Sequence, residues 1–173
     1  MATLATDRLN IRPFEMEDAQ ALHAFWSNVD VRRYLWDGII LPIDTVRGII
    51  RQSIADFEAH GFGFFSLDLK VTEPKIVGFC GFRRFEDGEQ IELVFGILPE
   101  YWGEGFVTEA AREVLRYGFE EAGITRIIAA ADTPNQRSVR LLMRLGMSFE
   151  ARREWHGLDT VFYALTATEF REQ

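Results

Sequence analysis

The sequence contains little cysteine and little histidine. Its 173 residues include one cysteine, Cys80, which excludes an intrachain disulfide. This is typical of proteins in the reducing cytosol, so we expect a cytoplasmic location. Three scattered histidines and the single cysteine provide no cluster of ligands, and we expect no metal ion. The first residues, MATLATDRLN, lack a basic segment followed by a long apolar run, so we expect no signal peptide.

Long apolar runs and an excess of positive charge are also missing. No run approaches the roughly 20 apolar residues that cross a bilayer, so we expect no membrane span. The formal net charge is −8, whereas a protein that binds nucleic acid needs a basic surface, so we expect no nucleic-acid partner. An acidic surface attracts cationic molecules such as amines, although it also simply aids solubility. With 47% hydrophobic residues, the chain is expected to form one globular domain over residues 1–173.

Hydrophobic periodicity and turn residues divide the chain into a series of strands and helices. The order is one strand, two helices, three strands joined like hairpins, a helix, a strand, a helix and two strands. This order predicts an α+β fold with a mixed, mostly antiparallel sheet of about seven strands flanked by helices. The predicted strands span residues 8–12, 62–70, 75–84, 90–98, 126–131, 147–153 and 160–167, and the predicted helices span residues 15–28, 44–60, 107–121 and 135–145. Asp44 is the expected N-cap of the second helix, and turns are expected at Thr72-Glu73-Pro74 and Asp87-Gly88.

The most informative segment is residues 91–106, which read IELVFGILPEYWGEGF. An apolar strand ends at Pro99, a short loop contains Gly103 and Gly105, and a helix follows. Free backbone amides beside the positive end of a helix dipole favour an anion, above all a phosphate. The loop lacks the Gly-Lys-Ser/Thr ending of a Walker A loop, and Thr108 stands where a dinucleotide fingerprint has its third glycine. A plain tight turn is the alternative interpretation.

A second motif lies downstream, where residues 132–151 read DTPNQRSVRLLMRLGMSFEA. Asn135 stands where a side chain caps a helix, and its amide group is equally able to hydrogen-bond an amide-bearing ligand. Ser138 follows one turn later on a similar face of the helix.

These two motifs together resemble the GNAT family of acyl-CoA-dependent N-acetyltransferases. The matching segments are PEYWGEGFVTEA and ADTPNQRSVRLLMRLGMSFE, in that order, and the opening TDRLNIRPFEMEDA is similar to the RimJ/RimL-like branch. That branch contains the ribosomal-protein alanine N-acetyltransferases and their relatives. The resemblance covers nearly the whole chain.

The resemblance implies acetyl-CoA as the cosubstrate and assigns residues to it. Two parallel strands, residues 90–98 and 126–131, would splay apart to admit the pantetheine arm. The backbone of the first strand would pair with this arm much as an added strand does. Asn135 and Ser138 would also contact the cofactor. The backbone groups expected to bind the arm and the pyrophosphate belong to Val94, Phe95, Gly96, Trp102, Gly103, Glu104, Gly105, Phe106, Val107 and Thr108.

The sequence departs from the general family pattern at two positions. Glu100 replaces the Gln or Arg that often begins the loop, which we expect binding to tolerate because the contacts are mostly from the backbone. Leu142 stands where many members have a tyrosine that protonates the departing thiolate. Ser138 or a water molecule is therefore the expected proton donor, and a serine recurs at this position in the RimJ/RimL-like branch.

An alkylammonium must lose a proton before it attacks a thioester, and we expect Glu92 to be the base. It lies on the strand that leads into the loop and matches an acidic position of the branch. A solvated charge on a strand is the alternative interpretation. His156 is a candidate second base, although a lone histidine is more often structural.

Two further segments are expected to line the site that binds the amine acceptor. Tyr34, Trp36 and Trp155 would form an aromatic wall, and Asp37 or Glu154 would attract the amine together with Glu92. Aromatic residues near a sheet edge are also frequent core residues.

The expected function is transfer of the acetyl group of acetyl-CoA to a primary amine by direct attack in a ternary complex. The amine partner is either a protein N-terminus, such as that of a ribosomal protein, or a small molecule. The alternative is a non-catalytic regulatory module that binds CoA or acyl-CoA, which the missing tyrosine allows. A monomer and a homodimer are equally compatible with the sequence.

Overall fold

A computed structural model of the chain describes residues 2–71, 73, 75–86 and 88–173. In this part of the chain, eight strands lie in one sheet and six α-helices accompany it. The strands are β1 Leu4–Ala5, β2 Leu9–Pro13, β3 Phe64–Leu69, β4 Ile76–Arg84, β5 Ile91–Ile97, β6 Arg126–Asp132, β7 Ser148–Trp155 and β8 Leu158–Thr166. The helices are α1 Ala19–Ser27, α2 Val29–Arg32, α3 Ile43–His60, α4 Phe106–Glu120, α5 Gln136–Arg144 and α6 Ala167–Arg171.

The strands form a single sheet in the order β1-β2-β3-β4-β5-β6-β8-β7. Every neighbouring pair is antiparallel except β5 and β6, which are parallel. The predicted fold class, a mixed and mostly antiparallel sheet flanked by helices, is confirmed. The additional strand, β1, has two residues, too few to produce a periodic pattern.

Several predicted boundaries differ from the structure. Pro42, not Asp44, is the N-cap of α3, and Asp44 lies in the first turn, where it pairs with Arg47. The predicted first helix begins later, at Ala19, because a separate 3-10 turn precedes it. Of the two predicted turns, Thr72, Pro74 and Asp87 lie outside the described residues.

Helices cover both faces of the sheet and bury its central strands. On one face, α4 packs Ala110, Ala111, Val114 and Leu115 against the sheet, each with no exposed surface. On the other face, α1 and α3 form a second apolar cluster with β4 and β5. β3 and β4 are therefore buried almost throughout, unlike a strand with one solvated face.

β5 and β6 separate soon after they meet. They pair only at Ile91 with Ile127 and at Glu92 with Ile128. Beyond this point β5 stays bonded to β4 and β6 stays bonded to β8. The result is a V-shaped gap, here named the fork, with Glu92 at its closed end. Beyond Glu92, the backbone edge of β5 that faces the fork has no partner strand among the described residues.

Candidate active site

The fork opens into a cavity of about 990 Å³. It runs from the segment after α2, past Glu92, to the loop before α4 and the start of α5. Of the residues proposed from the sequence for the base, acceptor and cofactor sites, all border this cavity except Glu104 and Glu154. The bordering residues are Tyr34, Trp36, Asp37, Glu92, Val94, Phe95, Gly96, Trp102, Gly103, Gly105, Phe106, Val107, Thr108, Asn135, Ser138 and Trp155. One continuous space therefore joins the three sets.

Glu92 is a buried carboxylate at the closed end of the fork. Its side chain is only 7% exposed, so a solvated surface charge is excluded. Arg83, opposite it on β4, donates from Nε to Glu92 Oε2 at 2.8 Å. Burial raises the pKa of Glu92, and the Arg83 guanidinium opposes this rise. A carboxylate with a raised pKa is a stronger base than one in water.

Arg83 was not identified from the sequence. It also lies over the Trp36 ring, 5.7 Å from the centroid, and so connects the proposed base to the proposed aromatic wall. Only the register between β4 and β5 makes Arg83 face Glu92. Sequence spacing alone does not determine that register, because six residues separate the two strands.

The segment after α2 forms one wall of the cavity in an unusual backbone conformation. Trp36 and Asp37 both have a positive φ, 52° and 56°, a region that residues other than glycine seldom adopt. Arg32 donates to the Gly38 carbonyl at 2.7 Å and holds the segment in place. Trp36 packs edge-on against buried Trp26. Trp36 therefore belongs both to the cavity wall and to the core behind it.

Trp155, at the end of β7, lies on the other side of the fork. Its ring stacks on Phe85 with a centroid separation of 5.2 Å and an interplanar angle of 27°. Nearby, His156 and Glu86 form a hydrogen bond of 2.7 Å between Nε2 and Oε1, and both border the cavity. Glu154, the alternative to Asp37, does not border it.

Asp132 is a second cavity carboxylate that sequence analysis missed. It ends β6, opposite Thr160 of β8, whose hydroxyl donates to Asp132 Oδ1 at 3.3 Å. Burial raises the pKa of Asp132; the Thr160 hydrogen bond lowers it, and the nearby Asp37 carboxylate raises it. The sequence did contain one signal for Asp132, because it lies at the carboxyl end of a predicted strand that borders the predicted gap.

The loop before α4, residues 100–105, is here named the glycine loop. Gly103 and Gly105 have φ values of 78° and 81°, which explains the requirement for glycine at both. Among the described residues, none accepts a hydrogen bond from the amides of residues 103–108. The Trp102 amide, by contrast, donates to the Pro99 carbonyl at 3.1 Å and is not free. Six amides at the N-terminus of α4 suit a phosphate.

Arg8 supports the glycine loop from behind. Its guanidinium donates to the Glu104 carbonyl at 3.0 Å and to Glu109 at 2.7 Å, and it lies 4.0 Å above the Phe106 ring. This contact connects the start of the chain to the loop. The Arg8 guanidinium holds the backbone carbonyl of Glu104, while the Glu104 side chain faces solvent.

At the start of α5, Asn135 and Ser138 form a reciprocal pair. Asn135 Oδ1 accepts from the Ser138 amide at 3.3 Å, which caps the helix, and Asn135 Nδ2 donates to Ser138 Oγ at 2.9 Å. Because Ser138 Oγ accepts this bond, its own proton remains available to the cavity. Leu142 is fully buried, so it belongs to the core and has no contact with the cavity.

The sequence profile of the acetyltransferase (GNAT) domain family matches residues 8–148. The chain belongs to the GNAT acetyltransferase family. As a GNAT protein, it is an acetyl-CoA-dependent N-acetyltransferase. Among the described residues, no group of three or more histidine, cysteine, aspartate or glutamate side chains is arranged to hold a metal ion, and no helix is long and apolar enough to cross a membrane.

Three similar proteins illustrate the range of this GNAT family. The uncharacterized N-acetyltransferase p20 of Bacillus licheniformis is 32% identical over 87% of this chain and 84% of its own length. A crystal structure of a GNAT acetyltransferase from Bacillus anthracis superposes with a TM-score of 0.80, at 28% identity, over 96% of this chain and 99% of that one. The spermidine N(1)-acetyltransferase of Escherichia coli K12 is 22% identical over 82% of this chain and 74% of its own length.

Proposed function

We propose that this GNAT enzyme acetylates a primary amine that enters the fork from the side of Trp36 and Trp155 and attacks acetyl-CoA directly in a ternary complex. The observation that carries the proposal is the position of Glu92. It is a buried carboxylate at the closed end of an open pair of strands, within the same cavity as the glycine loop.

Acetyl-CoA would lie along the fork. The six free amides of residues 103–108 would hold its pyrophosphate at the start of α4. The unpaired edge of β5, at Val94, Phe95 and Gly96, would pair with the amides of the pantetheine arm. This arrangement would direct the thioester toward Glu92.

The acceptor nitrogen must then lose two protons, one before the attack and one after it. Glu92, directly or through one water molecule, would accept the first proton from the ammonium group of the acceptor. The free amine would attack the acetyl carbonyl, so that a C–N bond forms and the C–S bond breaks. A backbone amide on the open edge of β5 would stabilise the negative charge on the carbonyl oxygen. Ser138 would donate its proton to the departing CoA thiolate and regain one from the acceptor nitrogen, which leaves the amide and the CoA thiol as products.

The acceptor is proposed to be a cation held between aromatic walls. Tyr34 and Trp36 on one side and Trp155 on the other would contact its carbon atoms, with Asp37 and Glu92 attracting its charge. The opening of the chain and Ser138 resemble the RimJ/RimL-like branch, which favours a protein N-terminal α-amine. The E. coli relative named for spermidine favours a small amine as the second candidate. The single, buried cysteine, Cys80, agrees with a cytoplasmic location.

A panel of acceptors tests this proposal. Thiol release from acetyl-CoA would be followed with polyamines, aminoglycosides, and peptides that begin with Ala, Ser or Met, and each product would be identified by mass. Acetyl transfer to at least one amine, with loss of the rate in Glu92→Gln, is expected. Tight acetyl-CoA binding without thiol release from any of these amines would instead indicate a non-catalytic CoA-binding module.

A further inference from the structure

Four arginines form a cationic surface at the outer end of the cavity, here named the arginine face. They are Arg112 on α4 and Arg137, Arg140 and Arg144 on α5. The three on α5 border the cavity, and all four are exposed. Within the described chain, no carboxylate lies within ion-pair distance of any of the four.

The position of these four arginines together sets them apart in a chain with a net charge of −8. Carboxylates outnumber arginines and lysines by 27 to 19, and eight of the thirteen other arginines form ion pairs with described residues. Arg116 on α4, for example, contacts Glu113, Glu120 and Glu121. Five other arginines have no ion pair among the described residues, but they lie on five different helices and strands, where solvation explains them. A group of four at one end of a cavity instead creates a local positive potential that favours an anion.

The geometry of the arginine face follows from helix periodicity and two specific contacts. Arg137, Arg140 and Arg144 fall within an arc of about 60° and span about 10 Å along α5. Arg137 lies 3.7 Å above the ring of Trp102, next to the glycine loop. At the other end, Arg112 donates to the Arg144 carbonyl at 3.4 Å and joins α4 to α5. The face therefore extends outward from the glycine loop.

The Arg137 contact leaves its hydrogen-bonding edge available. A guanidinium that stacks on an aromatic ring uses its face, and its N–H groups still point outward in the plane. The Trp102 ring is itself fixed, because its Nε1 donates to the Ile97 carbonyl at 3.1 Å. An anion just beyond the glycine loop would therefore meet a preorganised donor.

We propose that the arginine face binds the 3′-phosphate on the adenosine ribose of acetyl-CoA. This inference rests on the proposed placement of acetyl-CoA in the fork. The free amides of the glycine loop account for the two phosphoryl groups of the pyrophosphate. CoA contains a further, separate phosphate, a monoester with close to two negative charges near neutral pH, which needs partners outside the loop. The arginine face is the adjacent cationic surface, and it makes the enzyme selective for CoA over its 3′-dephospho form.

The test compares two ligands that differ only in this phosphate. Binding of acetyl-CoA and of 3′-dephospho-acetyl-CoA would be measured by calorimetry, without an acceptor, in the wild type and in the double variant Arg140→Gln/Arg144→Gln. The wild type is expected to bind acetyl-CoA at least about tenfold more tightly, as for a charge-assisted contact. In the double variant this ratio should approach one, while the affinity for the dephospho form stays unchanged. Higher salt should also reduce the ratio.

The matched control is Arg51→Gln. Arg51 is likewise exposed and without a carboxylate partner among the described residues, but it lies on α3, away from the cavity. It should leave both affinities unchanged. Equal affinity of the wild type for the two ligands would overturn the proposal, as would equal weakening of both in the double variant. The two proposals can also fail separately. If the wild type prefers acetyl-CoA to its 3′-dephospho form but acetylates no amine of the panel, the phosphate site is supported and the proposed reaction is wrong.

Discussion

Arg83 and Glu92 form an ion pair across β4 and β5, 2.8 Å from Nε to Oε2, at the closed end of the fork. The Arg83 side chain is 41% exposed, whereas the Glu92 side chain is 7% exposed. A buried carboxylate without a cation would be protonated over a wider pH range. The pair therefore favours the ionised form of Glu92, and one oxygen, Oε1, has no hydrogen-bond partner among the described residues.

Replacement of Glu92 by Gln should remove the proposed base and keep the shape of the side chain. We expect kcat to fall by about 10²- to 10⁴-fold, with little change in the affinity for acetyl-CoA. In the wild type, kcat/KM should rise with pH as Glu92 loses its proton, and this limb should be absent in the variant. Steady-state rates from about pH 6 to pH 9 and equilibrium binding of acetyl-CoA would check both. Unchanged turnover across this range would exclude Glu92 as the base.

Replacement of Arg83 by Gln should move the acidic limb of the pH profile to higher pH. The reason is that Arg83 favours the carboxylate form of Glu92, so its loss raises the pKa of Glu92 further. The nearby Glu86 carboxylate, which also raises this pKa, would then act unopposed. Arg83→Lys, which keeps the positive charge, should return the acidic limb part of the way to its wild-type position. A uniform loss of rate at all pH values would indicate a purely structural role.

The local features of the site were predictable from the sequence, but the pairing of distant residues was not. Gly61 ends α3 and Gly105 precedes α4, as expected, because glycine and apolar periodicity act within a few residues. The facing of Arg83 and Glu92 depends on strand register, and the proximity of Asp37 and Asp132 depends on packing across the fork. Neither relation leaves a signal in the local sequence.

The sequence did not predict the positive φ values at Trp36 and Asp37 either, because both residue types usually avoid this region. Short elements such as β1 and α2 were missed for another reason. They have two and four residues, which is about one period of a strand and of a helix, too short for a repeat to be recognised. The main errors therefore concern elements and contacts that tertiary structure determines.

Replacement of Gly105 by Ala should weaken acetyl-CoA binding and lower stability. Its φ of 81° would cost an alanine about 1–2 kcal/mol. A Cβ there would lie 3.6 Å from the nearest atom, of Arg8, so the cost is conformational and not a clash. The free energy of unfolding and the Kd for acetyl-CoA would measure both effects.

Gly48→Ala is the control for this variant. Gly48 lies inside α3, and a Cβ there would meet no atom within 4 Å. Because alanine favours a helix over glycine, the free energy of unfolding should rise by up to about 1 kcal/mol. Acetyl-CoA binding should not change. If Gly105→Ala behaves like Gly48→Ala, the left-handed conformation is not required for the glycine loop.

Replacement of Ser138 by Ala should slow the departure of the CoA thiolate without unfolding α5. The cap of α5 uses the Ser138 amide and the Asn135 side chain, and an alanine keeps that amide. We expect kcat to fall by about 10²-fold or more, with an unchanged acidic limb of the pH profile and only a small loss of stability, from the lost Asn135 Nδ2–Ser138 Oγ hydrogen bond. Asn135→Ala should instead lower the free energy of unfolding by about 1 kcal/mol, because the cap is lost.

Kinetics combined with thermal unfolding of the two variants would separate the effect on thiolate departure from the effect on stability. A Ser138→Ala enzyme with full kcat would transfer the role of proton donor to water, since Leu142, at the position of the family tyrosine, is buried and has no donor.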